Sequence, residues 1–229
     1  MLPKLKIFIG YDNREKIAYH VLSQSIIENS SIPVSINPIN LNNIKKIYKK
    51  KKAKIHSTEF SISRFLTPYL SGYKDYSLFL DCDFIMLGDI AELIRIIQKN
   101  KKKTVWCVKH KDYSKNFKNQ TKFLNEKQLP YKKKNWSSFM IFNNAKCKIL
   151  TPKLVEKASG LYLHQFKWTK ENKIGSLPSN WNVLVGEQTI PKKIKAIHYT
   201  LGGPYFSKFK NCDGSKHWHK YKKILMKLG

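Results

Sequence analysis

Arginine is close to absent from this sequence. Arg14, Arg64 and Arg95 are its only three, although Lys and Arg together number 44 against 15 Asp and Glu, for a formal net charge of +29. A reader of nucleic-acid bases would be expected to use arginine, whose planar fork bonds bidentately where lysine offers a point charge. Lysine spread along a chain also rich in Ile and Asn fits two readings equally: an AT-rich coding composition, or affinity for an anionic surface or acidic substrate. Cysteine pairs are missing too. Cys82, Cys107, Cys147 and Cys212 stand far apart with no C-x-x-C, which argues against a disulfide framework or a zinc site and for free thiols in a reducing compartment. No apolar run is long enough to span a bilayer. The opening "MLPKLKIFIGYDNRE" reaches Asp12 too soon for a signal peptide. The expectation is a soluble cytoplasmic protein, with a peripheral contact to the anionic inner-membrane face through its lysines.

What is present is the composition of a globular protein, 41% hydrophobic and 13% aromatic over 229 residues. That length suits a single domain over 1–229, with 207–229 as a basic C-terminal tail. "KLKIFIGYD" predicts a buried strand over 5–9 closed by Gly10, 14–28 carries helical spacing, and the alternation of Ile32, Val34, Ile36 and Ile39 predicts a second strand. Strand, helix, strand opens an α/β fold with a parallel sheet. The run 45–54 reads as a solvated loop or a frayed helix. A helix is expected from a Ser57 cap through Phe60, Ile62, Phe65 and Leu66, then a strand over 77–80. Asp89 is placed to cap a helix through Leu93, Ile96 and Ile97, and 104–108 reads as a strand. The polar stretch after Asp112 reads as a long excursion, 136–143 returns to strand character, and 151–159 is a short helix with Pro152 in its first turn.

Inside this pattern lies "YSLFLDCDFIMLGDI", where an apolar strand runs into Asp81-Cys82-Asp83. Two residues apart on a strand, both carboxylates point to one side with Cys82 opposite. Close carboxylates at a sheet edge need either a proton or a cation between them. Hard oxygen ligands suit Mg²⁺ or Mn²⁺, which in turn suit phosphate oxygens. Ligands of open parallel sheets bind beyond the carboxyl ends of the strands, where this pair would lie. A turn punctuated by Asp is the bland alternative for any lone D-x-D.

The stretch "SRFLTPYLSGYKDYSLFLDCDFIMLGDI" resembles the core of the retaining glycosyltransferases of family 8, relatives of glycogenin and of bacterial lipopolysaccharide galactosyltransferases. "IFIGYDNREKIAYHVL", "STEFSISRFL", "KNWSSFMIFNNAKC", "LPSNWNVLVGE" and "HYTLGGPYF" look like a bacterial group of such enzymes, in the expected order from residue 7 to 206. The resemblance implies a GT-A fold, with a mixed, mostly parallel sheet flanked by helices. It also implies a nucleotide-sugar donor, most often a UDP-sugar, and Mn²⁺ or Mg²⁺ held by Asp81, Asp83 and His198. Gly10, Tyr11 and Asp12 match the nucleoside cradle, Arg64 the helix Arg at the D-x-D or donor, and Cys82, Gly202 and Gly203 the backbone near the phosphates. Trp136, Ser137 and Ser138, and Asn180, Trp181 and Asn182, match blocks facing the donor sugar and acceptor. Two departures stand out. Pro204 occupies the position of a diphosphate-binding Lys, for which Lys208 is the stand-in. The zone "LYLHQFKW" lacks the family's carboxylates, leaving Gln165 or His164 in their place and Glu187 as the candidate nucleophile.

The function implied is transfer of a sugar to a glycan or glycolipid hydroxyl with retention, leaving-group-assisted attack being favoured over a covalent intermediate. A basic nucleic-acid binder is the rival from another class, motivated by aromatics among lysines over 112–136, but it leaves the buried acids unexplained. No specific nucleic acid is expected. A sugar-phosphate nucleotidyltransferase is the nearer rival, lacking here its Gly-rich N-terminal loop.

Overall fold

β1 (Leu5–Gly10) buries its last four residues, as an apolar run in the middle of a sheet must. The computed structural model describes residues 5–50, 58–111 and 131–227. The Ser57 cap, the 51–54 part of the lysine run and the 112–130 part of the excursion lie outside the described residues. After β1, helix α1 (Lys16–Asn29) crosses over to β2 (Ser35–Ile39), which pairs with β1 in parallel. β3 (Tyr76–Leu80) pairs in parallel on β1's other side. β5 (Val105–Val108) and β7 (Ile174–Leu177) pair in parallel with each other. β6 (Phe139–Asn143) runs antiparallel to both β3 and β5. The sheet order is therefore β2-β1-β3-β6-β5-β7, with only β6 reversed. The carboxyl ends of β1, β3 and β5 share one edge, and β6 begins there.

A second, three-stranded sheet continues from the first. β4 (Phe84–Met86) follows Asp83 directly and pairs antiparallel with β9 (Ala196–His198), beside which β8 (Val183–Leu184) lies parallel. Its own apolar cluster joins Val21 of α1, Ile85 of β4, Ile197 and Tyr199 from β9 and its end, and Trp218 and Tyr221 of α6 (Ser215–Leu225). Polar anchors add to it: Ser25 Oγ accepts from Met86 N at 3.0 Å, and Asn29 Nδ2 donates to Met86 O at 3.1 Å. The basic stretch after residue 207 thus includes a helix whose two aromatics are buried against α1 and the small sheet.

α3 (Ile90–Gln98) forms where Asp89 accepts from Ala91 N at 3.0 Å, and it buries Ile90, Leu93, Ile94 and Ile97. α4 (Pro152–Lys157) and α5 (Gly160–His164) start on the hydroxyls of Thr151 and Ser159. Two segments differ from expectation. In place of a continuous helix after residue 57, the chain makes turns, a 3-10 helix (Ser63–Leu66) and one α-turn, α2 (Thr67–Leu70). Pro68 has no N–H to donate to the Arg64 carbonyl, which accepts from the Thr67 hydroxyl at 2.7 Å, and the Ser61 hydroxyl bonds Thr58 N and O, competing with the helical ladder. The strand expected over 136–143 begins only at Phe139. Asn135 is left-handed (φ 64°) and throws Trp136–Ser138 into a 3-10 turn. No described helix is long and apolar enough to cross a membrane.

Gly10 ends β1 where there is no room for a side chain, since a Cβ there would meet the buried Phe60 ring at 2.3 Å. Gly10→Ala is expected to cost about 1–3 kcal/mol by overpacking, read as a lowered urea midpoint at unchanged m-value.

Candidate metal centre at the edge of the sheet

The second sheet explains why a residue at 198 meets residues at 81 and 83. Phe84 pairs with His198 in the β4–β9 ladder, and Tyr199 N donates to Asp83 O at 2.9 Å. The Phe84 ring stacks on the imidazole with centroids 4.2 Å apart. His198 is 3% exposed, and its Nε2 lies 3.3 Å from Asp83 Oδ1. Asp81, Asp83 and His198 each offer a ligand atom, all within 4.8 Å of one another.

Each ligand is held from behind. Ser138 Oγ donates to Asn135 O at 2.7 Å, so it accepts from Asn182 Nδ2 at 3.0 Å. That fixes the amide of the fully buried Asn182 with Oδ1 facing His198 Nδ1 at 3.1 Å. His198 therefore donates from Nδ1, and its neutral form presents the Nε2 lone pair to the carboxylates. Asp83 Oδ1 is buried and accepts no hydrogen bond. A lone pair facing an unbonded carboxylate oxygen is an arrangement a cation resolves. Asp81 is matched by Arg64, whose Nη1 is 2.7 Å from Asp81 Oδ1 and also donates to Ser137 O at 3.0 Å. The guanidinium lies over the adjoining Phe60 and Phe79 rings, 5.4 and 5.2 Å from their centroids. Asp81 N donates to Ser138 O at 3.0 Å, so the 3-10 turn before β6 serves both Asp81 and, through Asn182, His198.

At the end of β1, Asp12 is 0% exposed. Its oxygens accept from Arg14 N, Nε and Nη2 and from Glu59 N, at 2.7–3.1 Å. Burial raises its pKa, but these bonds outweigh it and hold the carboxyl below its usual range. Tyr11 packs edge-on to Tyr19 beside it. Glu15, 1% exposed, accepts from the Tyr205 hydroxyl on one oxygen, while Oε1 has no partner. Burial, then the Asp83 charge, pushes this carboxyl up to about 8.

The other expected residues fall as follows. Trp136 Nε1 donates to His110 O at 3.0 Å, and Ser137 Oγ lies 2.7 Å from His164 Nδ1. Cys82 is buried in the main core, where burial keeps its thiol protonated. Trp181 is a core residue packed on Phe139, and Asn180 bonds Lys193 O. Glu187 Oε2 accepts from Asn135 Nδ2 at 3.3 Å, and Gln165 O accepts from Lys133. Cβ atoms at Gly202 and Gly203 would strike the Phe209 and Tyr205 rings, and Gly202 has φ 137°. Those rings alone demand glycine there. Lys208 is exposed, with its ammonium over Phe209. Sequence reasoning missed Arg14, Glu15, Tyr205, His110 and Asn135. Arg14 carried a usable signal, being one of three arginines and two residues from Asp12.

This mixed sheet with acids at its carboxyl edge is the GT-A fold of glycosyltransferases. The bifunctional glycosyltransferase WbbM superposes with a TM-score of 0.67 at 15% identity, over 96% of this chain and 50% of that one. The galactosyltransferase LgtC, solved with donor and acceptor sugar analogues, gives 0.59 at 10% identity, over 98% and 97%. The glycosyltransferase GlyE of Streptococcus pneumoniae gives 0.61 at 14%, over 97% and 62%. This chain thus spans half of WbbM and under two thirds of GlyE, and the likeness is one of fold. No protein-family profile matches the sequence. It is 43% identical over 222 residues to Protein CDI of Arabidopsis thaliana, covering 93% of this chain and 84% of that protein. The chain belongs to the family of Protein CDI.

Glu15 carries a pH signature. Its ordinary value is 4.5 and its folded value about 8, so the unfolded chain ionises first. Stability from this group therefore falls as pH rises from 4.5 to about 8 and levels off above. Glu15→Gln, which keeps the acceptor for Tyr205, is expected to flatten the fall of the thermal midpoint between pH 5 and 8.5 relative to the parent protein.

Proposed function

We propose that this chain is a metal-dependent glycosyltransferase. It moves a sugar from a nucleotide-sugar donor, a UDP-sugar, to a hydroxyl on a glycan or glycolipid acceptor, with retention of configuration. The observation that carries the reading is the convergence of Asp81, Asp83 and His198, with the His198 tautomer set by Asn182, at the carboxyl edge of a GT-A sheet. The description of LgtC as a galactosyltransferase holding donor and acceptor sugar analogues supports the same substrate class. The lysine excess supports an acidic acceptor or an anionic membrane face on the cytoplasmic side.

Two carboxylates and one imidazole fit Mn²⁺, or Mg²⁺ with less preference for the nitrogen. Bound there, the cation supplies Lewis-acid stabilisation of the leaving diphosphate. The chain's own groups do the rest. Arg64 balances the charge of Asp81 and fixes its direction, and Asn182 keeps the His198 proton on Nδ1. Gly10, Tyr11 and Arg14, at and just beyond the end of β1, are assigned to the nucleoside side of the donor. Trp136 and the Ser137–Ser138 turn are assigned to the sugar side. Gln165 and Glu187 are the polar groups assigned to the transferred sugar, and attack from the departing diphosphate's own face needs no covalent nucleophile among them.

A thermal-shift screen of nucleoside diphosphates and nucleotide-sugars, with and without Mn²⁺, tests this directly. Stabilisation by UDP or UDP-sugars only with Mn²⁺ is expected, and no shift from any member removes the reading. Asp81→Asn and Asp83→Asn are each expected to lower metal-dependent donor hydrolysis or transfer by about a hundredfold; a full rate in either sinks the ligand assignment. Asn182→Ala is expected to weaken Mn²⁺ binding about ten- to a hundredfold by titration calorimetry, with the fold intact by circular dichroism.

A further inference from the structure

Beyond the three ligands, the same sheet edge carries a buried histidine that the proposed chemistry leaves unused. His110 follows β5 in a tight turn, its N donating to Val108 O at 3.2 Å, and it is 8% exposed. A ring of hydrogen bonds surrounds it. Trp136 Nε1 donates to His110 O, and neighbouring Asn135 gives its amide to Glu187 Oε2. Gln188, next to Glu187, returns to His110 Nδ1 with its Nε2 at 3.5 Å. Leu184 N donates to Gln188 Oε1 at 3.2 Å, so the Gln188 nitrogen faces the imidazole and His110 Nδ1 is the acceptor. The neutral ring therefore carries its proton on Nε2. Burial, the larger cause, pushes the pKa down to about 4, and any charge on His198 would add to it, so the ring is neutral at physiological pH.

Two atoms of this ring are buried without a partner: His110 Nε2, a donor, and Glu187 Oε1, an acceptor. A buried polar atom left unpaired is destabilising, so two of opposite kind in one small network suit a group that is both donor and acceptor. A hydroxyl is such a group. Leu184, whose N holds Gln188, pairs with His198 in the β8–β9 ladder, and Asn135 bonds both Glu187 and the Asn182 behind His198, which sets the network beside the cation that would hold a diphosphate. The hydroxyl nearest that position in a nucleotide-sugar belongs to the sugar on its terminal phosphate.

We propose that His110 and Glu187 form a hydroxyl-binding subsite for the transferred sugar, with His110 Nε2–H donating to the sugar hydroxyl and Glu187 Oε1 accepting from it. This assignment rests on the glycosyltransferase reading and adds to it a source of donor selectivity outside the metal ligands. Asn135 is the hinge of the arrangement. Its side chain holds Glu187, while its carbonyl accepts from Ser138 Oγ and, at 3.4 Å, from Asn182 Nδ2 behind His198. The sugar subsite and the metal ligand thus share one support.

Titration calorimetry in Mn²⁺ tests the proposal, comparing UDP, UDP-glucose, UDP-galactose and UDP-N-acetylglucosamine on the parent protein and on His110→Phe, which keeps a ring of similar size and loses the donor. His110→Phe is expected to weaken the best-bound UDP-sugar about tenfold while UDP itself binds as before; the retained UDP affinity also shows that the variant is folded. Glu187→Gln is expected to weaken the same UDP-sugar and change the order of preference among the sugars. If both variants keep the parent ratio of UDP-sugar to UDP affinity, the subsite is overturned. If the parent binds neither UDP nor any UDP-sugar, the glycosyltransferase reading and the subsite fall together.

Discussion

Four carboxylates, those of Asp12, Glu15, Asp81 and Asp83, crowd the ends of β1 and β3, where little water remains to screen them. In a chain with only 15 acids against 44 bases, that concentration is costly, and each acid is relieved differently. Asp12 is saturated by Arg14 and a backbone amide, Asp81 faces Arg64, Glu15 is pushed toward its protonated form, and Asp83 faces His198. Two of the three arginines are committed to this edge. Elsewhere, Arg95 of α3 apart, lysine serves, where a point charge on a flexible stem suffices. The protein spends its few rigid forks where carboxylates must be held in fixed directions.

The small sheet is what makes this charge pattern a site. Without β9 packed against β4, the pair at 81 and 83 would be two acids after a strand. The ladder from Phe84 to His198 is short, and its position is set by the apolar cluster of α1, α6 and the ends of β4 and β9. Buried Trp218 and Tyr221 therefore matter to the grouping of Asp81, Asp83 and His198 through strand placement, by way of the cluster they share with Ile85 and Ile197. The 3-10 turn at Trp136–Ser138 gives the complementary support from β6, offering its carbonyls to Arg64 and Asp81 N and its Ser138 hydroxyl to Asn182.

Much of the frame was legible in the sequence because its signals are local. The apolar run of β1, the alternation toward β2, the Asp89 cap of α3 and the D-x-D after β3 each depend on a few neighbouring residues. The grouping of Asp81, Asp83 and His198 was reached through resemblance, since a strand pairing across most of the chain leaves no periodicity to find. Failures came where local rules compete. Pro68 and a run of hydroxyls broke an apparent helix, and a left-handed Asn135 turned the start of a strand into a 3-10 helix. His110 and Glu15 escaped notice because their interest lies in what they lack, a partner for a buried atom, and only packing reveals that.

The β4–β9 ladder has a consequence for how the chain is made. Asp81 and Asp83 emerge from the ribosome early, His198 late, and the loop between them must close before the ladder can form. Until then the two acids stand without the imidazole that faces Asp83 in the folded chain. The imidazole arrives only after the large sheet has its strands, oriented by Asn182 from the same late segment. A site that needs all three side chains can therefore be complete only once the scaffold around it exists.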